Sequence, residues 1–132
     1  MTGFNELVGL RLCGGDAERY FIELDVKACH CHDAGFVHGG VYLSLLDTVM
    51  SRAVRALDGE TSVSPTMNLN CSFFRPQSSG LIRAEGRVIN RSKNITFAEG
   101  ALYSPEGKLL AKGTATFSRV RSNYIEGAKP LE

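Results

Sequence analysis

A chain of 132 residues, 43% hydrophobic and 22% charged, has the length of one domain and the composition of a folded one. Fifteen Lys and Arg against 14 Asp and Glu leave a net charge of +1, which excludes a broad electrostatic grip on nucleic acid, though not a local basic patch. No apolar run approaches the roughly 20 residues that span a bilayer, so no membrane partner is expected. The start, Met1 to Glu6, lacks the basic and apolar stretches of a secretory signal, and the expected location is cytoplasmic.

Phe4, Leu7 and Val8 have helical spacing and predict a short amphipathic helix over about residues 2–9. Leu10 to Cys13 reads as a strand ended by Gly14-Gly15-Asp16. Tyr20, Ile22, Leu24 and Val26 alternate on one face of a second strand. A polar loop follows from Cys29 to Val37 and holds Cys29-His30-Cys31-His32. Zinc ligands usually come as spaced pairs, whereas alternate residues of an extended chain point opposite ways, so this run reads as a loop without metal. With no secretory signal, Cys13, Cys29, Cys31 and Cys71 read as free thiols.

The period then changes. From Gly39 to Leu57 there is no proline, and the apolar residues cover most of a helix circumference, which predicts a buried helix stopped by Asp58-Gly59. Four strand-like segments complete the chain: Val63 to Phe74 ending at Arg75-Pro76, Leu81 to Ile89, Ile95 to Tyr103, and Leu109 to Val120. The tail over about 122–132 reads as mobile. The fold class is α+β, one long helix against a curved sheet of five or six mostly antiparallel strands, forming a single domain over 1–132. Such a sheet covers one side of the helix, and a second copy of the chain would cover the rest.

Asp47 stands out inside the helix. Its neighbours are Leu45, Leu46, Val49 and Met50, and no Lys or Arg lies at pairing distance on its face. Burying a lone carboxylate costs several kcal/mol or raises its pKa. Two readings follow: a structural one, in which Asp47 lies on a narrow solvated stripe with Ser44, Ser51 and Arg55 or pairs with a distant base, and a functional one, in which it is kept as general base or nucleophile. His38-Gly39-Gly40 stands at the helix start, where free N–H groups stabilise a developing anion and glycine admits a ligand close to the backbone. That is the makings of an oxyanion hole. Gly39 and Asp47 are eight residues apart, roughly 12 Å at 1.5 Å per residue, too far for one thioester carbonyl. Either the two are unrelated, or a site combines Gly39 of one subunit with Asp47 of another across a two-fold axis.

The helix start Gly35-Phe36-Val37-His38-Gly39-Gly40-Val41-Tyr42-Leu43-Ser44-Leu45-Leu46-Asp47 resembles that of the hotdog-fold acyl-CoA thioesterases, in particular the phenylacetate-pathway (PaaI-like) type. Thr66 to Pro76, Gly86 to Lys93 and Gly107 to Phe117 resemble that family's later strands, so the likeness runs from about Phe4 to Arg121. The resemblance implies an acyl-CoA substrate, no cofactor, and a homodimer with shared sites, with pairing of dimers into a tetramer left open. It implies that Asp47 is the base or nucleophile, that the Gly39 N–H polarises the thioester carbonyl, and that His38 supports the site or contacts the thioester. Thr66 would help position water, and Arg91, Lys93 and Arg75 would meet the coenzyme A phosphates. Many members carry Asn six residues before this histidine. Here the position is His32, whose ring can also donate a hydrogen bond.

Without the resemblance, Thr66 reads as a strand threonine, Arg91 and Lys93 as a solvated turn cluster, and Cys71 as a small buried residue. Three functions compete. The first is thioester hydrolysis. The second is a hotdog dehydratase, which would resemble a His-Phe-Pro helix start rather than His-Gly-Gly. The third is an acyl-CoA sensor without turnover.

Overall fold

The computed structural model describes residues 3–59 and 63–119. A short helix, α1 (Phe4–Val8), leads into β1 (Arg11–Gly15) and β2 (Tyr20–Val26). A single 3-10 turn (Ala28–His30) precedes the long helix α2 (Gly39–Asp58). Then come β3 (Thr66–Phe73), β4 (Gly80–Arg91), β5 (Ile95–Tyr103) and β6 (Leu109–Ser118). The strands form one antiparallel sheet in the order β1-β2-β4-β5-β6-β3. This is the hotdog arrangement, with α2 packed across one face.

Alternation decides which face is wet. Ile22 and Leu24 on β2, Ile82 and Ala84 on β4, Ala98 and Leu102 on β5, and Ala115 and Phe117 on β6 point inward and are buried. Several of the intervening residues carry charge. Arg83 lies 3.2 Å from Glu23, Arg19 lies 3.8 Å from Glu85, and Arg87 pairs with Glu99. Such exposed pairs contribute about 0–1 kcal/mol each, so they mark the solvent face without holding the sheet together.

The helix comes close to the sheet because of a row of glycines. The register places Tyr20, Gly86, Gly100, Gly113 and Cys71 side by side across five strands. A Cβ on Gly86 would lie 2.6 Å from the Val49 carbonyl oxygen, and one on Gly100 would lie 3.1 Å from Met50 Cγ. A Cβ on Gly113 would lie 2.8 Å from Cys71 Sγ. No side chain fits where the α2 backbone rests on β4.

The helix is not apolar all round in its packing. Its buried residues are Tyr42, Leu45, Leu46, Val49, Met50, Ala53 and Val54, a single stripe with three- and four-residue spacing. On the other side Leu43 and Leu57 are exposed. The sheet can cover only one flank of a cylinder, so the remaining apolar residues face outward.

Several boundaries differ from the sequence reading. Gly14 and Gly15 belong to β1 and do not end it, because a register shift between Leu12 and Gly14 absorbs the extra residue. The loop before α2 is ordered by the 3-10 turn and by a bridge between Cys31 and Val37. The third strand begins at Thr66, not Val63, and the last ends at Ser118. Val120 and the tail over 122–132 lie outside the described residues.

Candidate active site

The start of α2 is set by hydrogen bonds within its own sequence. His38 is extended (φ −61°, ψ 137°) and serves as N-cap, its Nδ1 accepting the Gly40 N–H at 2.8 Å. The Val41 N–H goes to the His38 carbonyl at 2.9 Å. The Gly39 N–H has no acceptor among the described residues. The cap therefore uses the second glycine's donor and leaves the first facing outward at the positive end of the helix dipole.

Phe73, at the end of β3, stands beside that donor. A Cβ on Gly39 would lie 3.4 Å from its ring. The ring meets buried Tyr42 edge-on at 5.7 Å, and the Tyr42 hydroxyl donates to the Arg75 carbonyl at 3.0 Å. Burial pushes the Tyr42 phenol up to about 12, so it remains a donor throughout the physiological range. The sequence reading missed Tyr42 and Phe73, which looked like ordinary core and strand residues.

Two turns along the helix, Asp47 is half-buried and not isolated. Thr66 Oγ1 donates to its Oδ1 at 2.8 Å. The second oxygen accepts no hydrogen bond among the described residues. A helix neighbour count cannot detect this partner, because Thr66 arrives from another element. Thr66 thus grips the carboxylate directly. Cys71 is half-buried, and burial and then the Asp47 charge both push its thiol pKa up, so it is held as a poor nucleophile. Strand β3 runs back along α2, with Thr66 at Asp47 and Phe73 at Gly39. The carboxylate and the free N–H consequently lie along one flank of the helix, still roughly 12 Å apart by helix rise.

The basic residues do not form one cluster. Arg91 pairs with Asp58 at the C-terminal end of α2, and Arg119 lies 3.8 Å from the same carboxylate, whose side chain is 8% exposed. Lys93 is exposed on the adjoining β4–β5 turn. Arg75 is at the other end of the helix, its carbonyl held by Tyr42. Asp58, read from the sequence only as a helix stop, also anchors this turn. His32 lies on the hairpin leading to the helix start. Its Nδ1 accepts the Ala34 N–H at 3.0 Å and its ring meets Phe36 edge-on, which leaves Nε2 as the donor. Among the described residues no group of three or more His, Cys, Asp or Glu could hold a metal, and no helix is long and apolar enough to cross a membrane.

The family model for the thioesterase superfamily matches residues 34–111, from the hairpin before α2 into β6. The chain belongs to that superfamily. Acyl-coenzyme A thioesterase 13 of Mus musculus is 27% identical over 120 residues, covering 88% of this chain and 84% of that protein. A Saccharolobus solfataricus protein with an esterase designation is 34% identical over 92 residues, 70% of this chain, and the match spans 61% of that protein's length. Among solved thioesterase-like folds, a phenylacetic acid degradation-related protein from Ralstonia eutropha JMP134 has 31% identity and a TM-score of 0.78, with 86% and 87% of the two chains covered. A phenylacetic acid degradation protein PaaI from Thermus thermophilus, in mutant form, has 25% identity and a TM-score of 0.80, with coverage of 89% and 98%. These likenesses agree with a PaaI-like member of the superfamily.

Proposed function

We propose that the protein is an acyl-CoA thioesterase, releasing a free acid and coenzyme A at sites that each combine residues of two subunits. One observation carries the reading: a carboxylate gripped by Thr66 and a free Gly39 N–H share a helix flank but lie too far apart for one carbonyl. Two α2 helices packed antiparallel about a two-fold axis would bring Gly39 of each to Asp47 of the other. Exposed Leu43 on the helix, and Met67, Phe73 and Phe74 on or beside the edge strand β3, supply apolar surface for that contact.

In such a site the thioester oxygen takes the Gly39 N–H, which stabilises the developing oxyanion. Asp47 then has two routes. As a base, it removes a proton from water while the water oxygen attacks the carbonyl carbon. The tetrahedral intermediate expels the thiolate, which takes the proton. As a nucleophile, Asp47 itself attacks and expels the thiolate, and water hydrolyses the mixed anhydride. Either route ends in acid and coenzyme A. His38 serves by capping, and His32 offers its Nε2 donor on the same hairpin. The test is a panel of acyl-CoA thioesters with a thiol-trapping reagent. Turnover supports the hydrolase, and tight binding without turnover would favour a sensor, in which His32 in place of the usual Asn belongs to the loss of activity.

Shared sites have a further expected result. Asp47→Asn, and separately Gly39→Pro, which removes the N–H, should each give a nearly inactive protein. Each must first be shown to be a folded dimer by sedimentation and circular dichroism. When the two are mixed through unfolding and refolding, random pairing makes half the dimers hybrid. Each hybrid has one site with both lesions and one with neither, so activity should recover to about a quarter of the parent's. Subunit exchange without recovery would refute the shared site.

The phosphates of coenzyme A are assigned to Arg91 and Lys93, near the C-terminal end of the helix that carries Asp47, with Arg75, beside the helix start that supplies Gly39, as a third candidate. Lys93→Ala, and Arg91→Ala with Lys93→Ala, should raise KM for acyl-CoA by several-fold and act less on a truncated thioester without the nucleotide. Equal effects on both substrates would make these residues structural. The single variant is the cleaner one, because Arg91 also neutralises Asp58.

A further inference from the structure

Of the run Cys29-His30-Cys31-His32, only His30 is buried, at 4% exposure, and the thioester chemistry above gives it no part. Both of its ring nitrogens are engaged. The Lys27 N–H donates to Nδ1 at 2.9 Å, so Nδ1 carries no proton. Nε2 therefore carries it and donates to the Val8 carbonyl at 2.6 Å. Apart from the local turn at Leu10, that contact is the one hydrogen bond, among the described residues, joining Phe4–Gly9 to any later part of the chain. The backbone of His30 is fixed too: its N–H closes the 3-10 turn on the Lys27 carbonyl at 2.9 Å, and its own carbonyl accepts the His38 N–H at 2.9 Å. His38 is the cap whose ring leaves the Gly39 donor free.

We propose that His30 is the positioning residue of the oxyanion donor: its imidazole bolts the end of α1 to the turn whose carbonyl holds His38, and so fixes where the Gly39 N–H points. The proposal rests on the thioesterase reading of that donor. An apolar side chain of similar volume would fill the same space without fixing the turn, because only a ring with one acceptor and one donor nitrogen satisfies Lys27 and Val8 together. The neighbouring His32 is exposed and bonds locally to Ala34, so it cannot take over this role.

The experiment compares His30→Leu, His30→Asn and His30→Gln in the full chain. Asn places an acceptor where Nδ1 stands and keeps the Lys27 link. Gln places a donor near Nε2 and keeps the Val8 link. In His30→Leu, kcat for a hydrolysed acyl-CoA should fall about 10- to 100-fold with KM within about two-fold, the signature of a misplaced reacting group and not of lost binding. His30→Gln should recover the most, since it keeps the link between the turn and the end of α1. Amide exchange at His38, followed by NMR, should speed up at least about 10-fold in His30→Leu while Ala98 and Leu102 in β5 keep the parent's protection. Parent-like kcat in a folded His30→Leu protein overturns the proposal, as does a lost kcat with unchanged His38 exchange. If His30→Leu does not fold, His30→Asn against His30→Gln makes the same comparison, and equal kcat in the two overturns the proposal. A parent with no turnover on any thioester defeats the thioesterase reading instead, and His38 exchange alone then decides whether His30 holds the helix start.

Discussion

Asp47→Asn should lose at least about 10²-fold in kcat and in kcat/KM together, and keep the parent's melting temperature. The substitution preserves the size of the side chain and leaves an Oδ1 to accept the Thr66 hydroxyl, so the one hydrogen bond to the carboxylate among the described residues survives. What disappears is the basic second oxygen, which accepts no hydrogen bond among the described residues and is the one free to take a proton or attack a carbonyl. Because the lost interaction forms only in the transition state, KM should stay close to the parent's. Steady-state kinetics on a hydrolysed acyl-CoA, with a thermal melt of the same preparation, checks both parts. Turnover equal to the parent's would remove Asp47 from the chemistry and return it to the solvated stripe with Ser44 and Ser51.

Gly86→Ala should cost about 3 kcal/mol or more, roughly 10 °C in melting temperature. The added Cβ would lie 2.6 Å from the Val49 carbonyl oxygen and 3.1 Å from the Met50 nitrogen. Those are backbone atoms in the middle of α2, so no rotamer change relieves the contact. The helix must move off the sheet, and the stripe from Tyr42 to Val54 moves with it. Activity should fall as well, since Asp47 sits one residue from Thr48 and two from Val49 on the displaced segment. Arg87→Ala, next along β4 but on the solvent face, is the control and should shift the melting temperature by no more than a few degrees. A Gly86→Ala protein that melts with the parent would mean that the helix is not seated on this glycine.

Local periodicity was enough for most of the fold. Strict alternation in Tyr20 to Val26 and in the segment around Ile82 to Val88 marked the strands and their inner faces, because a strand with one wet side must alternate. The change of period at Gly39, with no proline and a stop at Asp58-Gly59, marked the long helix. The edges of elements were less legible. A bulge at Leu12–Gly14 kept two glycines inside β1, and hydrogen bonds from Lys27, His30 and His38 turned a nominal loop into an ordered hairpin.

Of the candidate site, the sequence by itself determined the residue types and their spacing: a carboxylate nine residues after a histidine that precedes two glycines at a helix start. It also determined that Gly39 and Asp47 cannot serve one carbonyl within one helix, since helix rise alone keeps them apart. Tertiary structure decided everything that depends on a second element. It gave Asp47 its partner Thr66, set Phe73 against Gly39, separated Arg75 from Arg91, and buried His30 against Val8. The physical reason is the range of the forces that the two kinds of information report. Periodicity records which side of an element meets water, and that is settled within a few residues. Hydrogen bonds and ion pairs between elements depend on register and crossing, and no local pattern encodes them.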